Sequence, residues 1–156
     1  MHHYVIALGS NRRHGSHGSP ARVIDAATRR LPIIALSRTI HSRPIGPSSR
    51  AYANAVAIIA TDQSPPLLLA TLKSIERAFG RRAGQRWGAR VLDLDIILWS
   101  GGICTERTLS IPHLAFRTRS FVLGPLAQIA PTWRDPLSHL TVKQLKARLD
   151  RSHPRA

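Results

Sequence analysis

The sequence predicts an α+β fold with the element order β-α-β-β-α-β. Three observations predict it. Two stretches of helical spacing open on serine–proline, at Ser19-Pro20 and Ser64-Pro65-Pro66, where proline's fixed φ and missing N–H suit a first helical turn. Around them lie four short runs of apolar and β-branched residues of strand length. The last of these, residues 91–99, carries carboxylates at i and i+2, Asp93 and Asp95, so one face of that strand is marked for something other than core.

Taken in order, residues 4–8 read as a short buried strand ending at Gly9-Ser10-Asn11. Residues 12–20 hold glycine turns among serines and histidines and read as a loop. These histidines, with His2 and His3, lack ordered ligand spacing, so a loop is expected rather than a metal cluster. Val23, Ala26, Ala27, Arg30 and Leu31 follow helical spacing until Pro32 stops it. Residues 33–42 alternate as one strand, with Ile34, Leu36, Arg38 and Ile40 on one face. Residues 44–49 form a loop stiffened by Pro44 and Pro47. Residues 52–60 are a strand in which Tyr52, Asn54, Val56 and Ile58 share a face. The second helix runs from Ser64 to Phe79, and Gly80 terminates it. An arginine-rich loop leads into the Asp93/Asp95 strand, where Leu92, Leu94, Ile96 and Leu98 are expected to face the core.

This order is the split βαβ, ferredoxin-like pattern: an antiparallel sheet with helices on one face and the other free for a ligand. Ile111-Pro112-His113 is expected to continue the sheet edge. Residues 121–129 and 141–149 are short helical candidates, and 150–156 a frayed tail. A single domain over residues 1–156 is expected.

The hydrophobic fraction of 43% is that of a chain that buries a core. No apolar run reaches the roughly 18 residues of a membrane span, and the N-terminus lacks the layout of a signal peptide. One cysteine, Cys104, fits a reducing cytoplasm. The formal charge of +15 admits polyanionic partners. Lysine occurs only at positions 73, 143 and 146, so the charge is nearly all arginine, and its overall excess is equally well explained by composition bias.

Within that excess, Asp93 and Asp95 stand out. Asp is depleted in strands, and two like charges on one face repel. A divalent cation resolves both. Mg²⁺ takes one or two carboxylates and completes its octahedron with water and phosphate oxygens. Arg81, Arg82, Arg86 and Arg90 supply guanidinium forks suited to phosphate. Carboxylates for metal beside arginines for phosphate imply chemistry on a nucleotide.

The chain resembles a known family through a set of motifs in one order: Leu8-Gly9-Ser10-Asn11, Arg43-Pro44-Ile45-Gly46-Pro47, Tyr52-Ala53-Asn54-Ala55, Gly80-Arg81-Arg82, Arg86-Trp87-Gly88-Ala89-Arg90-Val91-Leu92-Asp93-Leu94-Asp95, Ile111-Pro112-His113 and Pro125-Leu126. The resemblance, over residues 4–135, is to the 6-hydroxymethyl-7,8-dihydropterin pyrophosphokinases of folate biosynthesis. It implies transfer of pyrophosphate from ATP to the pterin hydroxymethyl group, with AMP released. By that resemblance Asp93 and Asp95 hold two Mg²⁺ ions, and Arg90 and Arg119 clamp phosphate. His113 sits by the triphosphate, and Arg81 and Arg82 ride a closing loop. Tyr52 and Phe121 stack on the pterin while Asn54 reads its edge. Ser42 and Ile45 add polar or backbone contacts, and Trp87 packs near the reacting centre. The implied partners are small molecules, ATP and the pterin, with no nucleic acid or membrane and a monomeric state. Some positions depart from the family. Gly80-Arg81-Arg82-Ala83 breaks the common Gly-Arg-x-Arg spacing, Leu114 stands where relatives often have tyrosine, and Ser49 where they often have glutamine.

Two other readings compete. A basic ferredoxin-like sheet suits RNA, but the aromatic-rich RNA-binding pattern is missing and two carboxylates on the open face repel phosphate. An inactive relative is opposed by the joint presence of Asp93, Asp95, Arg90 and Asn54.

Overall fold

The computed structural model describes residues 1–11, 14–42, 52–80 and 91–153. The chain forms β1 (His2–Ser10), α1 (Pro20–Thr28), β2 (Ile33–Leu36), β3 (Ile40–Ser42), β4 (Tyr52–Thr61), α2 (Pro65–Ala78) and β5 (Asp93–Trp99). There follow a hairpin of β6 (Cys104–Glu106) and β7 (Leu109–Ile111), a 3₁₀ turn (Phe116–Thr118), α3 (Ser120–Ile129) and α4 (Val142–Ser152). The main sheet runs β2-β4-β1-β5, with β3 also on β4, and β1–β4, β1–β5, β2–β4 and β3–β4 are all antiparallel. No helix among the described residues is long and apolar enough to cross a membrane.

Local chemistry fixes the first two helices. The Ser19 side chain accepts from the Arg22 N–H and caps α1, with Pro20 in the first turn. The helix ends at Thr28, three residues before the last of the expected helical positions. Pro65 likewise opens α2, and Gly80 follows it at φ +97°, in the left-handed region glycine tolerates. Both helices lie on one face of the sheet. There Val23, Ile24, Ala27, Leu68, Leu72 and Ile75 bury against Tyr4, Ile6, Leu8, Ala55, Ala57 and Ile59. Full burial of each large aliphatic side chain contributes about 1.5–3 kcal/mol.

The opposite face, expected free, is largely covered. Val5, Val56, Ile58, Ile97 and Leu98 pack there with Phe116, Val122, Leu123, Leu126, Val142, Leu145 and Leu149. An amphipathic pattern shows which side of a helix is buried but not what buries it, and α3 and α4 use this face. At one end of the sheet this face turns polar, with Asn54 and Asp93 in place of apolar residues.

Four further expectations change. Residues 33–42 are two strands, not one. At Ser37 the ladder is carried by the side chain: Ser37 Oγ accepts the Val56 N–H at 2.9 Å while the Ser37 N–H donates to Val56 O. Ile34 and Leu36 are exposed. Leu98 does not join Leu92, Leu94 and Ile96. The β1–β5 register shifts between Val5 and Ile6, so Ile97 and Leu98 both reach the second cluster. The Ile111-Pro112-His113 segment belongs to a separate hairpin and its exit. Leu109 and Ile111 still bury in the first cluster, and the His113 N–H donates to Ile97 O at 3.0 Å. The expected frayed tail is helical to Ser152, with Lys146 paired to Asp150 one turn on.

Candidate active site

The polar end of the second face is laid out by strand register. Asp93 and Asp95 lead β5, separated by buried Leu94. Opposite them on β1 stand Gly9 and Ala7. Opposite those on β4 stand Asn54 and Val56. Directly opposed residues share a face, so Asn54, Gly9 and Asp93 form one row across three strands. Strands run about 4.8 Å apart, which sets Asn54 and Asp93 roughly 10 Å apart at the backbone, with glycine at the β1 position between them. Tyr52, two residues before Asn54, lies on the same side and is 36% exposed, whereas Asn54 is 7% exposed. Ser42 pairs with Tyr52 at the end of β3.

His113 closes the other side. Its Nε2 lies 4.0 Å from Asp95 Oδ2. Its Nδ1 accepts the Ala115 N–H at 3.1 Å, which places the proton of the neutral ring on Nε2, facing the carboxylates. Burial lowers its pKa below the usual histidine value, with Arg119 acting the same way and Asp95 and Asp93 opposing. Arg119 is the residue just before α3, and its guanidinium lies 5.6 Å from the Phe121 ring centre. α3 packs across β4 and β3. Strand register and α3 thus bring Asp93, Asp95, His113, Asn54, Tyr52, Arg119 and Phe121 to one end of the sheet. Ile45, Arg81, Arg82, Trp87 and Arg90 lie outside the described residues.

Two supports were not expected. Glu76, on the buried stripe of α2 and 3% exposed, hydrogen-bonds through Oε2 to the Leu94 N–H. A carboxylate inside an apolar helical stripe is the signal that could have found it. Asp135, fully buried, takes Arg117 Nε at 2.6 Å and a terminal guanidinium nitrogen at 2.7 Å. Burial works against its charge, but the hydrogen bonds from Arg117, Ser138 and the Leu137 N–H win and hold its pKa at about 2. This grip fixes the 3₁₀ turn between His113 and Arg119.

Asp93 and Asp95 are half-buried, two residues apart on one strand face, with Gly9 and Ala7 opposite them on β1 and His113 beside Asp95. They are hard oxygen donors, and they fit Mg²⁺. Carboxylates and a histidine donor at one end of a sheet, with an arginine beside them, are the equipment of a phosphate-handling enzyme.

Comparison with known proteins gives the family. Residues 5–131 match the model of 7,8-dihydro-6-hydroxymethylpterin-pyrophosphokinase (HPPK), and the chain belongs to that family. A Synechocystis protein named 2-amino-4-hydroxy-6-hydroxymethyldihydropteridine pyrophosphokinase is 37% identical over 155 residues, covering 96% of this chain and 77% of its own. A Haemophilus influenzae protein of the same name is 37% identical over 148 residues, covering 90% and 89%. The Plasmodium falciparum HPPK-DHPS structure with pteroate superposes with a TM-score of 0.74 at 13% identity, which speaks to the fold. The match covers 99% of this chain but 46% of that one, so the chain spans less than half of that protein's length.

Proposed function

We propose that the chain, as a single domain and a cytoplasmic monomer, transfers the pyrophosphoryl group of ATP to 6-hydroxymethyl-7,8-dihydropterin in folate biosynthesis, with two Mg²⁺ ions as cofactor. The hydroxymethyl oxygen attacks the β-phosphorus, and the bond from that phosphorus to the α–β bridging oxygen breaks. AMP leaves with the electron pair, and the hydroxyl proton passes to solvent. The row of Asn54, Gly9 and Asp93, with Asp95 beside it, is the observation that carries this reading. It sets an amide and a carboxylate on one floor, which supports an acceptor bound at one end and a phosphate chain at the other.

Asp93 and Asp95 would hold the magnesium, which when bound neutralises charge on the phosphates. The remaining work falls to the chain. Asn54 offers one donor and one acceptor to the pterin edge, and Tyr52 and Phe121 stack on its faces. By the family resemblance, Ser42 and Ile45 would add polar or backbone contacts to the pterin, and Trp87 would serve the reacting centre. His113 donates from Nε2 to a phosphate oxygen, and Arg90 and Arg119 clamp others. By the same resemblance, Arg81 and Arg82 would close over the assembled substrates and exclude water. Positioning and electrostatics of this kind are what phosphoryl transfer needs.

The test is a coupled assay for AMP. Release that requires both the pterin and Mg²⁺ is expected. Equal release without pterin, or none with all components present, would sink the reading.

A further inference from the structure

Gly9 sits inside a regular stretch of β1, paired with Asn54 on one side and Asp93 on the other. Its φ is not in the left-handed region, and the register shift of β1 lies elsewhere, between Val5 and Ile6. The backbone therefore does not require glycine, and glycine weakens a strand interior. What a side chain would change is the space above it. A Cβ on Gly9 would stand 3.2 Å from Asn54 Oδ1, close enough that the amide must yield. The same Cβ would rise into the gap between Asn54 and Asp93.

We propose that Gly9 is a specificity-determining position. Its missing side chain is the clearance through which the hydroxymethyl arm of the acceptor reaches from the pterin edge at Asn54 to the phosphate end at Asp93. The inference rests on the function proposed above and adds which part of the acceptor crosses which residue.

The test is Gly9→Ala, with the substrate pterin, a pterin lacking the 6-substituent, and a Mg²⁺-bound non-hydrolysable ATP analogue titrated separately. One methyl group in a fitted site changes binding by roughly tenfold or more. The substrate pterin is expected to lose at least that factor and the ATP analogue less than about threefold. The pterin without the arm should lose several-fold less than the substrate. Alanine suits a strand better than glycine, while the Asn54 amide must give by a few tenths of an ångström, so the melting temperature is not the readout. The difference between the two pterins is the readout, because a purely structural glycine would change both alike. Unchanged substrate affinity would overturn the proposal, as would equal losses for pterin and nucleotide, or for the two pterins. A measurement on the wild-type protein needs no variant: adding a methyl to the arm carbon of the pterin should weaken binding by a comparable factor, and no effect would also overturn it. If wild-type protein fails to bind the substrate pterin at all, the function proposed above fails and this inference with it. If wild type binds and Gly9→Ala binds equally well, only this inference fails.

Discussion

The Glu76 carboxylate accepts a hydrogen bond of 2.8 Å from the Leu94 N–H, so a buried group on α2 holds the one backbone amide that lies between Asp93 and Asp95. Leu94 is where the carboxylate pair is anchored, because strand geometry makes its two neighbours move with it. Removing the acceptor leaves a buried N–H without a partner, which costs roughly 1–3 kcal/mol. Glu76→Ala is expected to lose at least that much in urea unfolding and to lower turnover as well. Glu76→Gln keeps an oxygen in place and should recover much of both. Equal damage from the two variants would show that the charge, not the acceptor, is what matters.

Asp95 tests the metal assignment. Asp95→Asn keeps shape and removes one of two like charges on a strand face, so the fold should be unharmed or slightly firmer. AMP formation should fall by roughly 10²–10³-fold or more, the scale on which single electrostatic contacts to a transition state act. Near-normal turnover in Mg²⁺ buffer would remove Asp95 from the metal site.

A variant at Asn54 tests the two proposed substrates separately. Truncating it to alanine deletes a donor and an acceptor from a nearly closed position, which corresponds to roughly tenfold to a hundredfold in affinity. Calorimetric titration should show that loss for the pterin, with nucleotide affinity within about threefold. Parallel losses for both ligands would argue against an edge-reading role.

The Arg117–Asp135 pair makes an acid limit to stability. The Asp135 pKa falls from 3.8 to about 2 on folding. A lowered carboxyl stabilises the fold above its unfolded pKa and loses that contribution as pH drops through the folded value. The shift corresponds to roughly 2 kcal/mol, present above about pH 4 and gone near pH 2. Urea unfolding across that window should steepen with acid in the wild type and flatten in Asp135→Asn. Arg117→Ala, which strands a buried charge, should cost roughly 3–5 kcal/mol at neutral pH. A pH profile unaltered by Asp135→Asn would contradict the assignment.

Much of this architecture was legible locally. Ser19-Pro20, Ser64-Pro65 and Gly80 declare their helix ends because capping and φ restriction act within one turn. Tyr52 and Asn54 declare a common face because strand period is fixed. The side of Asp93 and Asp95 was readable for the same reason, since Leu94 between them is apolar. What was hidden depends on long-range partners. Leu98 changes face through a bulge set by pairing with β1, which no alternation pattern records. Ser37 breaks the 33–42 strand because its hydroxyl meets Val56, 19 residues away. Arg117 and Asp135 look like ordinary surface charges until the chain turns between them. The destination of the α3 and α4 stripes was likewise undecidable, because a hydrophobic stripe names no partner.

β1, β4 and β5 each carry cargo at two ends: greasy contacts beneath α3 and α4, and the polar row beyond them. Anything that grips the row is pulling on rods whose other ends are already clamped. Occupancy there should therefore be felt throughout the molecule, raising its resistance to heat as a whole rather than stiffening one corner. A small heterocycle or nucleotide in solution becomes, in effect, one more piece of the protein's interior mortar.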